Sequence, residues 1–148
     1  MTRSPIALRP ATIDDLGFAW QLYRETMRYI TDQLSAFNEA RHMTSFAERF
    51  VPEEVRIIAS GNKDIGWLQV SETEDEIFIK QMFLQPASQR QGIGSSLLVN
   101  LIEHGRQAKK PVRLGVVKIN PALRLYQRHG FTITSEDDFK FYMEKQPQ

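Results

Sequence analysis

The segment with the clearest chemistry is residues 89–94, which read Q-R-Q-G-I-G. It stands between an apolar run typical of a strand, Ile77–Leu84, and an apolar run typical of a helix, Ser95–Glu103. A loop with two glycines that leads from a strand into a helix points unpaired backbone N–H groups and the positive end of the helix dipole at one place, where phosphate is the usual occupant. The segment therefore predicts a site for a phosphate-bearing ligand. The alternative is a helix start that needs glycine only for close packing.

The spacing of residues in the loop discriminates between known phosphate-binding motifs. The nucleotide P-loop needs a lysine after its last glycine, and no lysine lies between Lys80 and Lys109. The dinucleotide fingerprint needs a third small residue, but Leu97 follows Gly92 and Gly94 at that place. A leucine there would hold the helix away from the strand, so neither nucleotide motif fits.

Three stretches together resemble one family. The run Q-R-Q-G-I-G-S-S-L-L resembles the [R/Q]-x-x-G-x-[G/A] motif of the GCN5-related N-acetyltransferases, the GNAT family, whose loop and helix hold the pyrophosphate of acetyl-coenzyme A. Before it, F-I-K-Q-M-F-L-Q-P is similar to the family's fourth strand, and after it N-P-A-L-R-L-Y-Q-R-H-G-F is similar to its late helix. The similarity covers about Ile65 to Met143. In many members the asparagine and tyrosine of the late helix lie one position further apart than Asn120 and Tyr126.

The resemblance implies roles for particular residues. Tyr126 matches the general acid that protonates the departing thiolate, and a packed core tyrosine is the alternative. Glu76, at the start of the fourth strand, is the candidate base, and an ordinary loop carboxylate is the alternative. Backbone groups of the fourth strand are expected to pair with the pantetheine chain. The expected cofactor-binding residues are Met82, Phe83, Leu84, Gln89, Arg90, Gln91, Gly92, Ile93, Gly94, Ser95, Asn120 and Tyr126, and no metal is expected.

Other polar side chains are weaker candidates. The first two predicted helices commonly line the acceptor site in this family, and packing or solvation explains their polar residues equally well. These residues are Tyr23, Arg24, Glu25, Arg28, Tyr29, Glu39 and His42. Arg124 and Arg128 lie one helical turn apart on the Tyr126 helix, where they face either a cofactor phosphate or solvent.

Composition narrows the class of protein. The chain has 148 residues, 41% of them hydrophobic and 25% charged, with a formal net charge of +1. We therefore expect one domain, 1–148, that is soluble and cytoplasmic and has no nucleic-acid or membrane partner. The absence of cysteine excludes disulfides, a thiol nucleophile and cysteine-ligated zinc.

Apolar periodicity and turn residues predict the element order β-α-α-β-β-β-α-β-α-β-β, a mixed α/β fold with a largely antiparallel sheet flanked by helices. The resemblance implies that this sheet is GNAT-like. The acidic run Glu72–Glu76 is interpreted as a solvated hairpin loop. The apolar segment Phe139–Met143 suits the interface of a homodimer or burial within one chain. The predicted strands are Ile6–Arg9, Val55–Ala59, Ile65–Val70, Ile77–Leu84, Val112–Val117, Phe131–Thr134 and Phe139–Glu144. The first predicted helix starts at Thr12, and the other three span about Asn38–Phe50, Gly92–Gln107 and Pro121–His129.

The sequence leaves three functions open. The first is an acetyl-coenzyme A-dependent N-acetyltransferase that moves an acetyl group to a primary amine of a small molecule by direct attack. The second is transfer to a protein N-terminus or lysine. The third is a coenzyme A-binding module without activity, because the base is weakly identified.

Overall fold

The computed structural model describes residues 5–34 and 39–148, and its elements follow the predicted order. The predicted fold class is confirmed. The strands are β1 (Ile6–Pro10), β2 (Val55–Ser60), β3 (Lys63–Glu72), β4 (Ile77–Leu84), β5 (Val112–Val117), β6 (Thr132–Glu136) and β7 (Lys140–Lys145). The helices are α1 (Leu16–Leu34), α2 (Glu39–Arg49), α3 (Ile93–Ala108) and α4 (Ala122–Arg128).

Seven strands form one sheet in the order β1-β2-β3-β4-β5-β7-β6. The pairs β1–β2, β2–β3, β5–β7 and β6–β7 are antiparallel. The pair β4–β5 is parallel, with Ile77 to Ile79 opposite Val112 to Leu114. The paired residues are the first three of each strand.

The chain divides into two compact units. The first comprises residues 1–69 and 81–88, and the second comprises residues 70–80 and 89–148. The first unit has an aromatic core in which rings from α1, α2, β3 and β4 lie 4.9–6.1 Å apart, centroid to centroid. Such pairs stabilise a core beyond the area that they bury. Its rings are Trp20, Tyr23, Phe46, Phe50, Trp67 and Phe83.

Gly66 explains how β4 lies against β3 in this unit. A Cβ atom at Gly66 would lie 2.2 Å from the Phe83 carbonyl oxygen and 3.0 Å from a Leu84 methyl carbon. The next backbone bond runs from the Gln85 N–H to the Ile65 carbonyl, at 2.8 Å. Only glycine allows this approach, which fixes the last residues of β4.

The second unit packs α3 on β4 and β5. Gly105 of α3 allows this approach, because a Cβ atom there would lie 2.8 Å from the Lys110 carbonyl oxygen and 2.9 Å from a Val112 methyl carbon. Ile77, Leu98, Leu114 and Met143 are almost fully buried in the same unit. Within the described ranges no helix combines the length and apolar character needed to cross a membrane.

The acidic run is exposed from Glu72 to Asp75, and Glu72 accepts from His104 and from Lys110, each at 2.8 Å. One local prediction differs from the structure. Phe139 lies in the hairpin turn rather than in a strand, because the Asp137 carboxylate accepts from the backbone N–H groups of Phe139 and Lys140 at 2.8 and 2.7 Å. This Asp137 turn separates β6 from β7 and delays the start of β7 by one residue.

Candidate active site

The loop before α3 has a left-handed backbone at two of its residues. Arg90 has φ 61° and Gly92, the N-cap of α3, has φ 81°. Left-handed residues in a tight turn bring successive N–H groups to the same side and form a concave anion site. A Cβ atom at Gly92 would meet nothing within 4 Å. Glycine is therefore needed here for its conformation, and the space beside it is open.

The first turn of α3 supplies the N–H groups that the sequence predicts. The first intrahelical bond runs from the Ser96 N–H to the Gly92 carbonyl, at 3.0 Å. The N–H groups of Ile93, Gly94 and Ser95 precede that bond and have no acceptor within the helix. A helix of 16 residues adds its dipole. This donor set fits a pyrophosphate.

The start of α3 lies directly against α4, the helix that carries Tyr126. A Cβ atom at Gly94 would lie 3.3 Å from a Leu125 methyl carbon. The His129 Nε2 atom lies 3.0 Å from the Ser95 hydroxyl oxygen. Within the second unit, the structure therefore brings the predicted phosphate loop together with the helix of the predicted general acid.

Tyr126 is buried, with 7% of its surface exposed, and its ring lies 5.9 Å from the Phe131 ring. Burial raises the pKa of Tyr126 to about 12, because the phenolate is poorly solvated there. The hydroxyl is therefore neutral near pH 7 and carries a proton to donate. The ring also packs against Phe131, as expected for the alternative in which Tyr126 is a core residue.

Asn120 has a local role in the structure. Its Oδ1 atom accepts from the Ala122 N–H at 2.9 Å, and its carbonyl accepts from the Leu123 N–H at 3.1 Å. Both bonds satisfy donors at the start of α4. Asn120 thus stabilises the start of the Tyr126 helix, and its contact with the cofactor stays a prediction.

Glu76 takes part in an ion-pair network. Its carboxylate accepts from Arg113 at 3.1 Å, and Arg113 also donates to Glu144 at 2.7 Å. Glu144 and Glu76 hold the pKa of the Arg113 guanidinium above its ordinary value. The pair with Arg113 therefore links Glu76, which directly precedes β4, to β5.

The end of β4 lies in the first unit. Phe83 is 9% exposed and contacts the rings of Trp67 and Tyr23 at 5.4 and 5.7 Å. Met82 and Leu84 flank it and are partly exposed. Phe83 is thus a core residue, as its apolar character also suggested. The backbone role of this strand toward pantetheine stays a prediction.

The candidate residues of the acceptor site and of the Tyr126 helix differ in burial and in whether the structure describes their side chains. Tyr23 packs in the aromatic core, with its ring 4.9 Å from Phe46. Glu25 is exposed and accepts from Gln21 at 3.3 Å. The side chains of Tyr29 and Glu39 lie outside the described residues. Arg24, Arg28 and His42 are described and have interactions of their own, whereas Arg124 and Arg128 are exposed.

Sequence reasoning gave no role to Gly66, Leu125 or His129. Gly66 and Leu125 become visible only through contacts between elements that are distant in the chain. His129 stands beside Gly130, whose φ of 88° ends α4, and nothing in its sequence context points to Ser95.

Comparison with known proteins agrees with this geometry. The family model described as an acetyltransferase (GNAT) domain matches residues 52–133, more than half of the chain. The matched segment includes β4, the phosphate loop, α3 and α4. A comparison with curated proteins found no match.

Solved structures share the fold over nearly the whole chain. The PaiA N-acetyltransferase of Thermoplasma acidophilum, in complex with coenzyme A, is 19% identical with a TM-score of 0.75, covering 96% of this chain and 99% of that one. Ard1 of Thermoplasma volcanium is 20% identical with a TM-score of 0.67, covering 97% and 98%. An acetyltransferase of Thermus thermophilus is 15% identical with a TM-score of 0.75, covering 98% and 99%.

Proposed function

Because this chain belongs to the GNAT family of acetyltransferases, we propose that it acetylates a primary amine of a small molecule by direct attack of the amine on the thioester. Acetyl-coenzyme A is the co-substrate and supplies that thioester. The contact between the start of α3 and α4 carries the proposal, because it brings an anion site and a buried neutral tyrosine into one unit.

The phosphate end of the co-substrate is proposed to bind at the start of α3. The N–H groups of Ile93, Gly94 and Ser95 donate to the pyrophosphate, and the left-handed residues Arg90 and Gly92 turn the loop toward it. Gln89 and Gln91 add side-chain amides from the same loop. The exposed charge of Arg90 contributes less, because salt screens it.

Tyr126 is proposed as the general acid. Its burial keeps the hydroxyl protonated, since the pKa is raised to about 12. A departing thiolate needs one proton, and a positioned hydroxyl supplies it without a charged group in the site. Asn120 supports this role by starting the helix from which the tyrosine projects.

Glu76 remains our proposal for the base that takes the proton of the amine. Its ion pair with Arg113 gives it a structural part as well. Glu76→Gln separates the two parts, because glutamine keeps the hydrogen bond and loses the basic oxygen. We expect turnover to fall by about 10²-fold or more if Glu76 is the base. Turnover within about threefold of the parent would assign it to structure alone.

A concavity in the first unit supports a small acceptor. It measures about 100 Å³ and is lined by Phe18, Gln21, Leu22, Glu25 and Gln85. Its size suits a small group, and the Glu25 carboxylate complements a protonated amine. Gln85 follows β4 directly, so this concavity adjoins the strand expected to hold the pantetheine.

The competing acceptor is a protein N-terminus or lysine, and the competing class is a coenzyme A-binding module without activity. Turnover assays with pooled small amines and with peptides, read as release of free thiol, separate the three. We expect thiol release with the amine pool. Release with peptides alone would favour the protein acceptor, and binding without release from either would favour the module.

Two broader proposals, on domain organisation and on location, accompany this function. We propose that residues 1–148 act as one acetyltransferase domain, which the coverage of 96–98% of the chain by whole solved structures supports. We propose a cytoplasmic location, which the absence of cysteine permits.

We also propose a homodimer, with β6 as its pairing edge. Strand β7 contains most of the apolar Phe139–Met143 segment, but it pairs with β5 and β6 on its two sides. Strand β6 ends the sheet, is exposed at all five residues and leaves Ile133 43% exposed. Light scattering tests the proposal, and a monomeric mass at working concentration would contradict it.

A further inference from the structure

We propose that His129 is a positioning residue for the co-substrate. It holds the Ser95 hydroxyl so that this hydroxyl donates to a phosphate of acetyl-coenzyme A. The inference rests on the proposed function, because it needs the co-substrate at the start of α3. The sequence predicts a role for Ser95 and none for His129.

The contact joins the two helices of the candidate site. The His129 Nε2 atom lies 3.0 Å from the Ser95 Oγ atom, and both residues are partly buried. Ser95 lies in the first turn of α3, among the three residues whose N–H groups have no acceptor within the helix. Its hydroxyl belongs to the same turn as these donors. His129 is the C-cap of α4.

The chemistry of the two side chains fixes the direction of the hydrogen bonds. A serine hydroxyl has one proton and accepts through its lone pairs, and phosphate oxygens accept only. If the hydroxyl donates to phosphate, its oxygen must accept from a different donor. The Nε2–H of His129 is that donor, so Nε2 carries a proton in this arrangement. The bound state thus has one chain of donors, from Nε2–H to the serine oxygen and from the serine O–H to phosphate.

The same contact connects phosphate binding to the general acid. The His129 N–H donates to the Tyr126 carbonyl at 3.1 Å, so the two residues belong to one turn of α4. One turn earlier, Leu125 lies against Gly94. The two contacts, Leu125 with Gly94 and His129 with Ser95, fix α4 on the start of α3. Tyr126 lies between them in sequence, so loss of the His129 contact affects both binding and the placement of Tyr126.

Calorimetric titration of coenzyme A against the whole chain tests the inference without an acceptor. Ser95→Ala and His129→Ala should each raise Kd about tenfold, the change expected from one hydrogen bond to a charged group. The double variant should be no weaker than Ser95→Ala alone, since the histidine acts through the serine. His129→Gln should stay within about threefold of the parent, because the glutamine amide places a donor near the position of Nε2.

His104→Ala is the matched control. His104 is also a histidine of the second unit and is bonded to Glu72 at 2.8 Å, so its loss removes a comparable surface contact away from Ser95. Its Kd should equal that of the parent. Parental affinity in His129→Ala, or additive losses in the double variant, would overturn the inference while leaving the proposed function intact. A parent chain that fails to bind coenzyme A would instead overturn the proposed function.

Discussion

The start of α3 in the second unit and the outer face of α1 in the first unit differ in how they are built. At the start of α3 the geometry is mainly that of the backbone: two left-handed residues, three N–H groups without an acceptor in the helix, and a close approach to α4. At α1 the candidate groups are side chains, Gln21 and Glu25, beside a concavity of about 100 Å³. The first region suits a phosphate through its backbone, whereas the second is proposed to recognise one acceptor through its side chains.

The backbone site is a feature of the family, whereas the proposed side-chain site belongs to the individual sequence. A backbone site needs glycine at defined places and tolerates change elsewhere, so a motif reveals it. A site whose side chains vary with the substrate leaves no shared motif. Changes in the second unit should therefore affect every acetyl transfer, and changes at α1 should affect only the acceptor.

The largest effect is expected for Tyr126→Phe. The substitution removes the proton donor and keeps the ring against Phe131. Turnover should fall by about 10²–10⁴-fold, as is typical for a general acid, with the Kd of acetyl-coenzyme A little changed. Steady-state rates with an accepted amine and a calorimetric titration measure the two quantities. A parental rate for the chemical step would remove Tyr126 from the mechanism, and loss of binding as well would indicate a structural role.

Gly94→Val should weaken binding of acetyl-coenzyme A and leave the fold intact. A Cβ atom at this position already lies 3.3 Å from a Leu125 methyl carbon, so a branched side chain pushes the start of α3 from α4. The overpacking costs about 1–3 kcal/mol of folding stability, and we expect the Kd of acetyl-coenzyme A to rise about tenfold because a donor to the phosphate is displaced.

Gly17→Val is the matched control for Gly94→Val, because Gly17 is also in a helix and a Cβ atom there meets nothing within 4 Å. Its Kd should be parental. Equal affinities of Gly94→Val and the parent would show that the loop is not the phosphate site.

Glu25→Gln should raise the KM of the amine about tenfold, the loss expected for one charge-assisted hydrogen bond, and leave the KM of acetyl-coenzyme A unchanged. The reason is that Glu25 lines the α1 concavity and has no part in the phosphate loop. Initial-rate kinetics with each substrate varied in turn give both constants. An unchanged KM for the amine would place the acceptor elsewhere.

A further effect, confined to alkaline pH, concerns the stability of the fold. Burial raises the pKa of Tyr126 from 10.0 to about 12, so the folded chain keeps a proton that the unfolded chain loses. This stability is fully present below pH 10 and is lost as pH rises toward about 12, to a total of about 2–3 kcal/mol. Denaturant unfolding, repeated at steps of about one pH unit between about pH 9 and 12, should show a shallower decline in the free energy of unfolding for Tyr126→Phe than for the parent. Parallel declines would show that Tyr126 is solvated.

The sequence predicts best where local signals decide the structure. Strands β4 and β5 have the predicted bounds, because each is a short apolar run with a turn at its end. The turn at Gly92 was predictable because glycine serves a local left-handed backbone conformation there.

Contacts between distant elements were not predictable. The approach of Phe83 to Gly66 depends on how two strands pair, and the ion pair of Glu72 with Lys110 joins residues 38 positions apart. The Asp137 turn moved Phe139 out of its predicted strand because one carboxylate bonded two backbone N–H groups. The contact of His129 with Ser95 is of the same long-range kind.

The backbone at the start of α3 is proposed to bind the pyrophosphate of acetyl-coenzyme A. Titration of the isotope-labelled chain with acetyl-coenzyme A, followed through its backbone amide resonances, is the decisive test. We expect the largest downfield shifts at the amide protons of Ile93, Gly94 and Ser95, because each gains a hydrogen bond to a charged oxygen. Saturable binding that leaves these three amides unshifted would contradict the claim.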